Sequence, residues 1–412
     1  MDFESIIRPV SVDDFRASIA ASDAPLFIPG SSEKFAELFS ERAYWHCLRQ
    51  GKPEGQTVPR TSFTQYQLPL AFEAGAVSRA LRSGNTVCVS YMDRVHDGLR
   101  QLCLDVESLL GLPGAACVHC YVSPPGTGYD FFHMDNGAAV TLQIAGSKTW
   151  HHAESPAVPW CTRVGGYRED DRLEWFGASD WHPTEPPSPW DQGFVERTLT
   201  PGDLLVMPPG VWHRAEATDT LSISLNLKLS ATASIDALLQ MVRQMCLYDE
   251  RWRRPLPFAS TDELQSGVAS GRTQSELAAH VQRLSTTLQA IAEDSGTLAR
   301  TWFRTFLGSQ DDVGTGPDVS LTPQDRLAIP ARVAPRLVVN ADGTLALLGQ
   351  GKILNVNGEA ATDLLRALLE KRVFSLSEVA AWPQAQCLGP AGVRKTLEQL
   401  LHAGFLQLQN AR

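Results

Sequence analysis

Residues 115–150 read AACVHCYVSPPGTGYDFFHMDNGAAVTLQIAGSKTW, a stretch in which short β-like runs alternate with turns rich in Pro and Gly. The same alternation runs through residues 1–230, and many short strands between turns are typical of a barrel or sandwich. The strand candidates are Thr86–Tyr91, Ala116–Val122, Ala138–Ile144, Thr149–His152, Leu204–Met207 and Thr220–Leu227. A helix is predicted between the first two, at His96–Leu110.

An H-x-D motif, His133 and Asp135, lies inside this stretch. Residues two apart in a strand point to the same face, so the imidazole and the carboxylate can bind one ion together. His213 offers a third ligand at the end of GDLLVMPPGVWH, residues 202–213. Two histidines and one carboxylate leave open coordination positions, which is typical of non-haem iron(II) oxygenases. Either piece alone is more often an ordinary polar residue, and zinc is the alternative ion.

These segments resemble the JmjC-type cupin oxygenases, and among them the ribosomal oxygenases. That family has an (S/T)-P-P segment, H-x-D, a Leu-Gln strand and G-(K/R)-K-x-W, then G-D-x-L-Y-x-P-x-G-x-x-H. Residues 25–45 and 81–111 are also similar to its N-terminal part. The resemblance implies a mainly β double-stranded β-helix (the cupin/JmjC jelly roll), a helical middle domain and a C-terminal winged helix.

The resemblance also implies the site. His133, Asp135 and His213 would bind Fe(II), with 2-oxoglutarate and O2 as cosubstrates. Lys148, fifteen residues after His133, stands where the family pairs a Lys or Arg with the distal carboxylate of 2-oxoglutarate. A solvated turn lysine is the alternative. Tyr121 stands where the family has a tyrosine that hydrogen-bonds the same carboxylate.

The sequence leaves open the roles of three further polar residues. Asn226 has the strand phase of Ser222 and Ser224, so it either binds cosubstrate or satisfies a polar group in the core. His151 and His152 follow Trp150, so one of them faces the interior, and a polar strand residue is favoured over a fourth ligand.

Three domains are predicted: a JmjC/cupin catalytic domain at 1–230, a helical domain at 231–312 and a winged-helix-like domain at 326–412. In the second, a capping box at Thr273–Glu276 precedes a long helix. Its apolar stripe either forms a homodimer face or packs on the barrel. In the third, the predicted order is strand, strand, helix, helix, helix, strand, and the hairpin turn is Asn340–Gly343.

Composition limits the partners. The chain of 412 residues has a net charge of −10, which argues against a general nucleic-acid binder. Few basic residues are clustered in 331–412, so no specific DNA contact is expected. The N-terminus lacks a signal-peptide pattern and no long apolar run occurs, so we expect no membrane span and a cytoplasmic location. The eight scattered cysteines are expected to be reduced thiols.

The predicted function is hydroxylation of a protein or peptide side chain, most simply in a ribosomal protein. Asn136-Gly137 departs from the acidic or aromatic residues of ribosomal oxygenases, which leaves the substrate open. One alternative is the precursor of a peptide natural product, with the winged helix binding its leader. The other is a non-catalytic cupin that binds a partner. The acidic run Glu169–Asp171 could attract a basic peptide or be solvated surface.

Overall fold

The computed structural model describes residues 3–50, 54–58, 70–71, 74–110, 115–167, 172–176, 186–191, 193–230, 234–247, 249–254, 260–294, 320–329, 335–339, 345–349, 352–356 and 358–409. Contacts divide the chain into two compact units, Met1–Thr232 and Ala233–Arg412. The first boundary lies close to the predicted end of the catalytic domain at residue 230. The further division of the second unit into helical and winged-helix domains stays a prediction.

The first unit is mainly β-structure. Its helices are α1 (Phe3–Ile7), α2 (Val12–Ala21), α3 (Glu41–Gln50), α4 (Ala74–Arg82) and α5 (Asp97–Leu110). Its strands are β1 (Leu26–Ile28), β2 (Glu54–Val58), β3 (Leu70–Ala71), β4 (Thr86–Ser90), β5 (Ala116–Ser123), β6 (Gly128–Met134), β7 (Ala138–Ala145), β8 (Lys148–Ala153), β9 (Val164–Tyr167), β10 (Leu173–Phe176), β11 (Phe194–Leu199), β12 (Leu204–Met207), β13 (His213–Ala217) and β14 (Ser222–Leu229). The predicted helix at His96–Leu110 is therefore correct to within one residue.

Two antiparallel sheets hold these strands. The larger has the order β1-β12-β7-β14-β5-β4-β2-β3, and the smaller has the order β10-β9-β6-β13-β8-β11. Strands distant in sequence are neighbours: β14 lies between β7 and β5, and β13 lies between β6 and β8. This arrangement is the jelly roll of a cupin, so the predicted fold of this part of the chain is confirmed.

The larger sheet has one apolar and one polar face because side chains alternate along a strand. The apolar residues of β14 lie in the main hydrophobic core with those of α5, and they are Ile223, Leu225, Leu227 and Leu229. Burying each leucine stabilises the fold by roughly 1.5–3 kcal/mol. The intervening residues Ser224, Asn226 and Lys228 line a cavity to which both sheets contribute side chains. The helices thus cover one face, and the other face is left for a polar site.

Asp203 anchors the turn that leads into β12. One carboxylate oxygen accepts hydrogen bonds from the backbone N–H and the hydroxyl of Thr200, both at 2.8 Å, and the other accepts from the backbone N–H of Gly30 at 3.1 Å. Because Gly30 follows β1, which pairs with β12, this side chain fixes the edge of the larger sheet. Asp203 of the GDLLVMPPGVWH segment therefore has a structural role.

The second unit combines helices with two small sheets. Its elements are α6 (Ser234–Cys246), α7 (Glu250–Arg253), α8 (Thr261–Ser266), α9 (Gly271–Glu293), β15 (Arg326–Ala328), β16 (Arg336–Val339), β17 (Leu345–Gly349), β18 (Lys352–Val356), α10 (Glu359–Lys371), β19 (Val373–Ser375), α11 (Leu376–Ala380), α12 (Gly389–His402) and β20 (Gln407–Leu408). The sheet orders are β19-β15-β20 and β16-β17-β18. The pairing of β16 with β17 agrees with the predicted hairpin, whose turn Asn340–Gly343 lies outside the described residues.

The predicted capping box at Thr273–Glu276 is wrong. The N-cap of α9 is Ser270, three residues earlier, and its hydroxyl accepts a hydrogen bond from the backbone N–H of Thr273 at 3.2 Å. Ser and Thr cap helices comparably well, so the sequence alone did not distinguish them. A capping box is present instead at Ser260 and Glu263 of α8. None of the described helices is long and apolar enough to cross a membrane.

Candidate metal centre

The three predicted ligands converge within the first unit. Strands β6 and β13 pair in a register that places His213 opposite His133, and Asp135 follows β6 directly. Their potential ligand atoms all lie within 4.8 Å of one another, and all three residues are buried. Among the described residues, this is the group of His, Cys, Asp and Glu side chains that fits a metal ion. Asp135 lies just beyond the strand rather than inside it, yet it still faces the histidines.

A tight turn brings the distant histidine to this position. The backbone N–H of Gly210 donates to the backbone carbonyl of Asp135 at 2.9 Å. Gly210 has φ +80°, and a Cβ atom there would lie 1.8 Å from the carbonyl oxygen of Val158. Only glycine satisfies both conditions. The glycine of the GDLLVMPPGVWH segment therefore holds the start of β13 against the end of β6.

Backbone carbonyls orient both imidazoles. The Nδ1 atom of His133 lies 3.1 Å from the carbonyl oxygen of Phe131, and that of His213 lies 2.8 Å from the carbonyl oxygen of Val211. With Nδ1–H as the donor, each Nε2 keeps its lone pair for an ion. Burial lowers the pKa of both histidines, that of His213 to about 3. The rings therefore remain neutral, as metal ligands must be.

Asp135 remains an anion despite its burial. Burial raises the pKa of its carboxyl, but the Lys228 ammonium is the strongest opposing influence, and the net result is a pKa well below its ordinary value. The ammonium nitrogen of Lys228 lies 3.3 Å from Asp135 Oδ1. Burial lowers the pKa of Lys228, but Asp135 more than reverses this, so both members of the pair stay charged. The site thus offers one carboxylate and two neutral imidazoles.

Lys148 is a cation inside the same cavity rather than a solvated turn lysine. It opens β8 and is 4% exposed, and its ammonium donates to the hydroxyl of Ser123 at 3.1 Å. Burial lowers its pKa to about 8, and no carboxylate among the described residues offsets this. The turn before it needs Gly146, where φ is +59° and a Cβ atom would lie 2.2 Å from the carbonyl oxygen of Leu221.

The other two predicted cosubstrate residues line the cavity with Lys148. Tyr121 lies on β5, and the ammonium of Lys148 is 5.9 Å from the centre of its ring. Burial raises the pKa of Tyr121 well above its ordinary value, so the phenol keeps its proton. Asn226 lies on β14, and its buried Oδ1 has no hydrogen-bond partner among the described residues. These side chains surround a cavity of about 260 Å³.

The structure adds two residues that the sequence reasoning missed. Lys228 lies two residues beyond Asn226, and His119 lies two residues before Tyr121; both line the cavity. The strand phase already assigned to Asn226 would have found Lys228, and the same two-residue spacing counted from Tyr121 would have found His119, because side chains two apart share a face. His152 is buried opposite His213 across β8 and β13, but it is not part of the ligand group.

Comparison with known proteins agrees with this fold. Residues 101–235 match the model of the JmjC domain, so the predicted resemblance to JmjC-type proteins is confirmed. The chain is 27% identical over 168 residues to the uncharacterized protein YxbC of Bacillus subtilis strain 168. That match covers 40% of this chain and 48% of YxbC, about half the length of that relative.

Solved structures of the Escherichia coli ribosomal oxygenase YcfD share the fold over nearly the whole chain. One is 14% identical, with a TM-score of 0.53, and the match covers 93% of this chain and 94% of YcfD. Another, of YcfD with cobalt and 2-oxoglutarate, is 14% identical with a TM-score of 0.54, covering 94% and 95%. A third contains cobalt and succinic acid. At this identity, the likeness establishes a common fold.

Cobalt binding tests the triad. We expect His213→Ala to weaken Co(II) affinity by more than the roughly 10- to 100-fold that loss of an outer-shell partner costs, because one of three ligands is gone. The matched control is His151→Ala, which removes a histidine from the outside of β8 near Glu196. Titrations followed by Co(II) absorption give both affinities. Equal affinities for the two variants would remove the triad as the metal site.

Proposed function

We propose that this chain, which carries a JmjC domain over residues 101–235, is an Fe(II)- and 2-oxoglutarate-dependent oxygenase that hydroxylates a protein or peptide side chain. The observation that carries the proposal is the buried His133, Asp135 and His213 group, with ligand atoms within 4.8 Å of one another. Lys148 lines the same cavity. A metal-binding triad and a buried cation in one pocket match the needs of a metal ion with a dicarboxylate cosubstrate.

The donor set favours iron. Two imidazoles and one carboxylate on one side of an ion leave its other positions for small ligands, which suits non-haem Fe(II). Zinc sites more often close into a tetrahedron, and the described residues supply no fourth ligand. The Nε2 atoms of both histidines and one oxygen of Asp135 would hold the ion. When bound, Fe(II) with 2-oxoglutarate and O2 supplies the oxidising power for hydroxylating a C–H bond, with succinate and CO2 as coproducts.

Lys148 is the residue we assign to the distal carboxylate of 2-oxoglutarate. A buried ammonium is costly without an anion beside it, and the described residues provide Ser123 but no carboxylate. A dicarboxylate supplies the missing charge. The phenol of Tyr121, which remains protonated, can donate to the same carboxylate. Asn226 supplies the amide group that we assign to the cosubstrate side of the cavity.

The apolar lining completes the chemistry of the pocket. Trp150, Val164 and Phe176 line the cavity beside the triad, and the ring of Trp150 stacks on that of His213 at 5.8 Å between centres. Apolar side chains here exclude water and fix the imidazole plane. The role of the protein is therefore to position a substrate C–H bond in a dry pocket.

A ribosomal protein is the substrate that we propose. The fold shared with the ribosomal oxygenase YcfD supports this choice, as do the similar motifs of the sequence. We further propose a cytoplasmic location, where such a substrate is made. We propose that the segment 326–412 is a winged helix, and we assign no DNA-binding role to it.

A homodimer through residues 231–312 is part of the proposal. Helix α9 carries Leu277, Val281 and Leu288 on one face, and Val281 is 68% exposed in the single chain. Helix α6 also presents large apolar side chains, including Ile235 at 59% exposure. Grouped exposed apolar residues of this kind mark interaction surfaces in soluble proteins. A second copy of the chain would bury them.

Turnover of 2-oxoglutarate tests the assigned role of Lys148. Because the pKa of its ammonium is lowered to about 8, the cation is lost as pH rises above that value. We expect the affinity for 2-oxoglutarate to fall above about pH 8, and Lys148→Arg to remove this fall since arginine stays charged. Lys148→Met should raise KM by about a hundredfold or more, from loss of a buried charge pair.

The control for this experiment is Thr149→Ala, the next residue of β8, whose hydroxyl contacts Thr198 instead of the cavity. Succinate formation measured at several pH values gives KM for each variant. An unchanged KM in Lys148→Met would contradict the assignment. Succinate formation that survives in His213→Ala would overturn the oxygenase proposal itself.

Mass spectrometry tests the substrate. Ribosomes from cells that lack this protein, incubated with the purified chain, Fe(II), 2-oxoglutarate and O2, should gain one oxygen atom on one ribosomal protein. His213→Ala should produce no gain. Oxygen found on a small precursor peptide instead would favour the natural-product alternative. Neither product, together with no succinate, would favour the non-catalytic binding protein.

Light scattering tests the dimer. We expect Leu277→Glu with Val281→Glu to convert a dimer into a monomer, because two carboxylates would be buried without partners. The matched control is Ala279→Glu with Ala290→Glu, which places the same charges on the opposite, exposed face of α9. A monomeric native chain, or dissociation by both pairs, would count against this interface.

A further inference from the structure

Lys228 is a second cation in the cavity, and the proposed cosubstrate does not account for it. It lies on β14, next to the triad, with its ammonium 3.3 Å from Asp135 Oδ1. Its side chain is 25% exposed, so it reaches the open part of the cavity, whereas Lys148 is almost fully buried. An ammonium has three N–H donors. Among the described residues, Asp135 accepts one of them, which leaves donors for a molecule that enters.

The charges around the cavity do not balance. Of the described residues that line it, Asp135 is the anion, and Lys148 and Lys228 are the cations. His133 and His213 bind an ion as neutral imidazoles, and burial lowers the pKa of His119, so its ring adds no charge either. A divalent ion and the two negative charges of 2-oxoglutarate would cancel each other. One positive charge therefore remains in excess next to the metal position. Of the two lysines, Lys228 is the one that is partly exposed.

We propose that Lys228 determines which side chain this enzyme accepts, by donating a hydrogen bond to a carboxylate or carboxamide oxygen of the target and excluding arginine and lysine. This inference rests on the proposed function and narrows its substrate class. A cationic target would have to be desolvated beside Lys228. Asp135, the carboxylate among the described lining residues, already pairs with Lys228 and belongs to the metal group. An oxygen acceptor instead satisfies a donor that is already in place.

The surrounding lining fits a small polar group at this position. Ser90 and His119 line the same cavity on the neighbouring strands β4 and β5, and both can hydrogen-bond an amide or carboxylate. His119 is neutral, so it adds no charge. The acidic run Glu169–Asp171 lies outside the described residues and enters no part of this charge count.

Paramagnetic relaxation of small probes tests the inference without turnover. The full chain, fully loaded with Co(II) and 2-oxoglutarate, is mixed in turn with acetate, acetamide and methylguanidinium. These probes carry the end groups of aspartate, asparagine and arginine, and each has a methyl signal. We expect the methyl protons of acetate and acetamide to relax about tenfold more strongly than those of methylguanidinium, as for a charge-assisted hydrogen bond.

Two variants at the same position complete the experiment. Lys228→Met should abolish the excess relaxation of acetate, and Lys228→Arg should keep it, with samples matched for Co(II) content by metal analysis. Methylguanidinium relaxing as strongly as acetate would overturn the proposal. So would an acetate excess that persists in Lys228→Met, since acetate would then be binding the metal directly. The chain loaded with diamagnetic Zn(II) is the blank. If none of the probes relaxes faster with the Co(II)-loaded chain than with this blank, the proposal is also overturned.

Failure of the inference about Lys228 can be distinguished from failure of the oxygenase proposal. Binding of 2-oxoglutarate is measured on the Co(II)-loaded chain, and formation of succinate is measured on the same purified protein loaded with Fe(II) instead. If neither occurs, the oxygenase proposal fails while the probe preference can still be read. If both occur and the probes show no preference for oxygen acceptors, the oxygenase proposal stands and the role of Lys228 is lost.

Discussion

The pairing of β6 with β13 is the constraint on which the rest of the site depends. Its register sets His213 opposite His133 across a sequence separation that no local interaction could bridge. A slip by one residue would turn one imidazole to the other face of the sheet. The bond from the N–H of Gly210 to the carbonyl of Asp135 blocks such a slip at the point where it would matter. Chemistry at this site is therefore a consequence of strand register.

The alternation of side chains across β5 and β14 explains how a polar cavity coexists with a stable fold. Each strand gives its apolar residues to the core shared with the helices and its polar residues to the cavity. Charged groups inside a protein are costly, and here they are gathered around one cavity to which both sheets contribute side chains. The larger sheet supplies Lys228 on β14, and the smaller sheet supplies Lys148 and the two histidines. The two halves of the site therefore come from different layers.

Part of this site could be predicted from strand periodicity, which is a local property, and the roles of Lys148 and Tyr121 were implied by the resemblance to a known family. The spacing of His133 and Asp135 indicated a shared face, and the phase of Asn226 indicated the cavity. The tertiary contacts of the site could not be predicted. Lys228 shares that phase, but its contact with Asp135 depends on how β14 lies relative to the end of β6. The start of α9 was misplaced because Ser270 and Thr273 are both good caps, and their competition is decided by surroundings that the sequence pattern does not show.

The carbonyl oxygens behind His133 and His213, and the ammonium beside Asp135, hold all three ligands in place by bonds within the protein itself. Orientation of the ligands is thus completed when the chain folds, and an ion enters a prepared site instead of organising one. Loading adds stability by mass action alone. Under the proposed function, scarcity of iron in the cell would stop catalysis without unfolding the site, and a returning supply would restore activity without new synthesis.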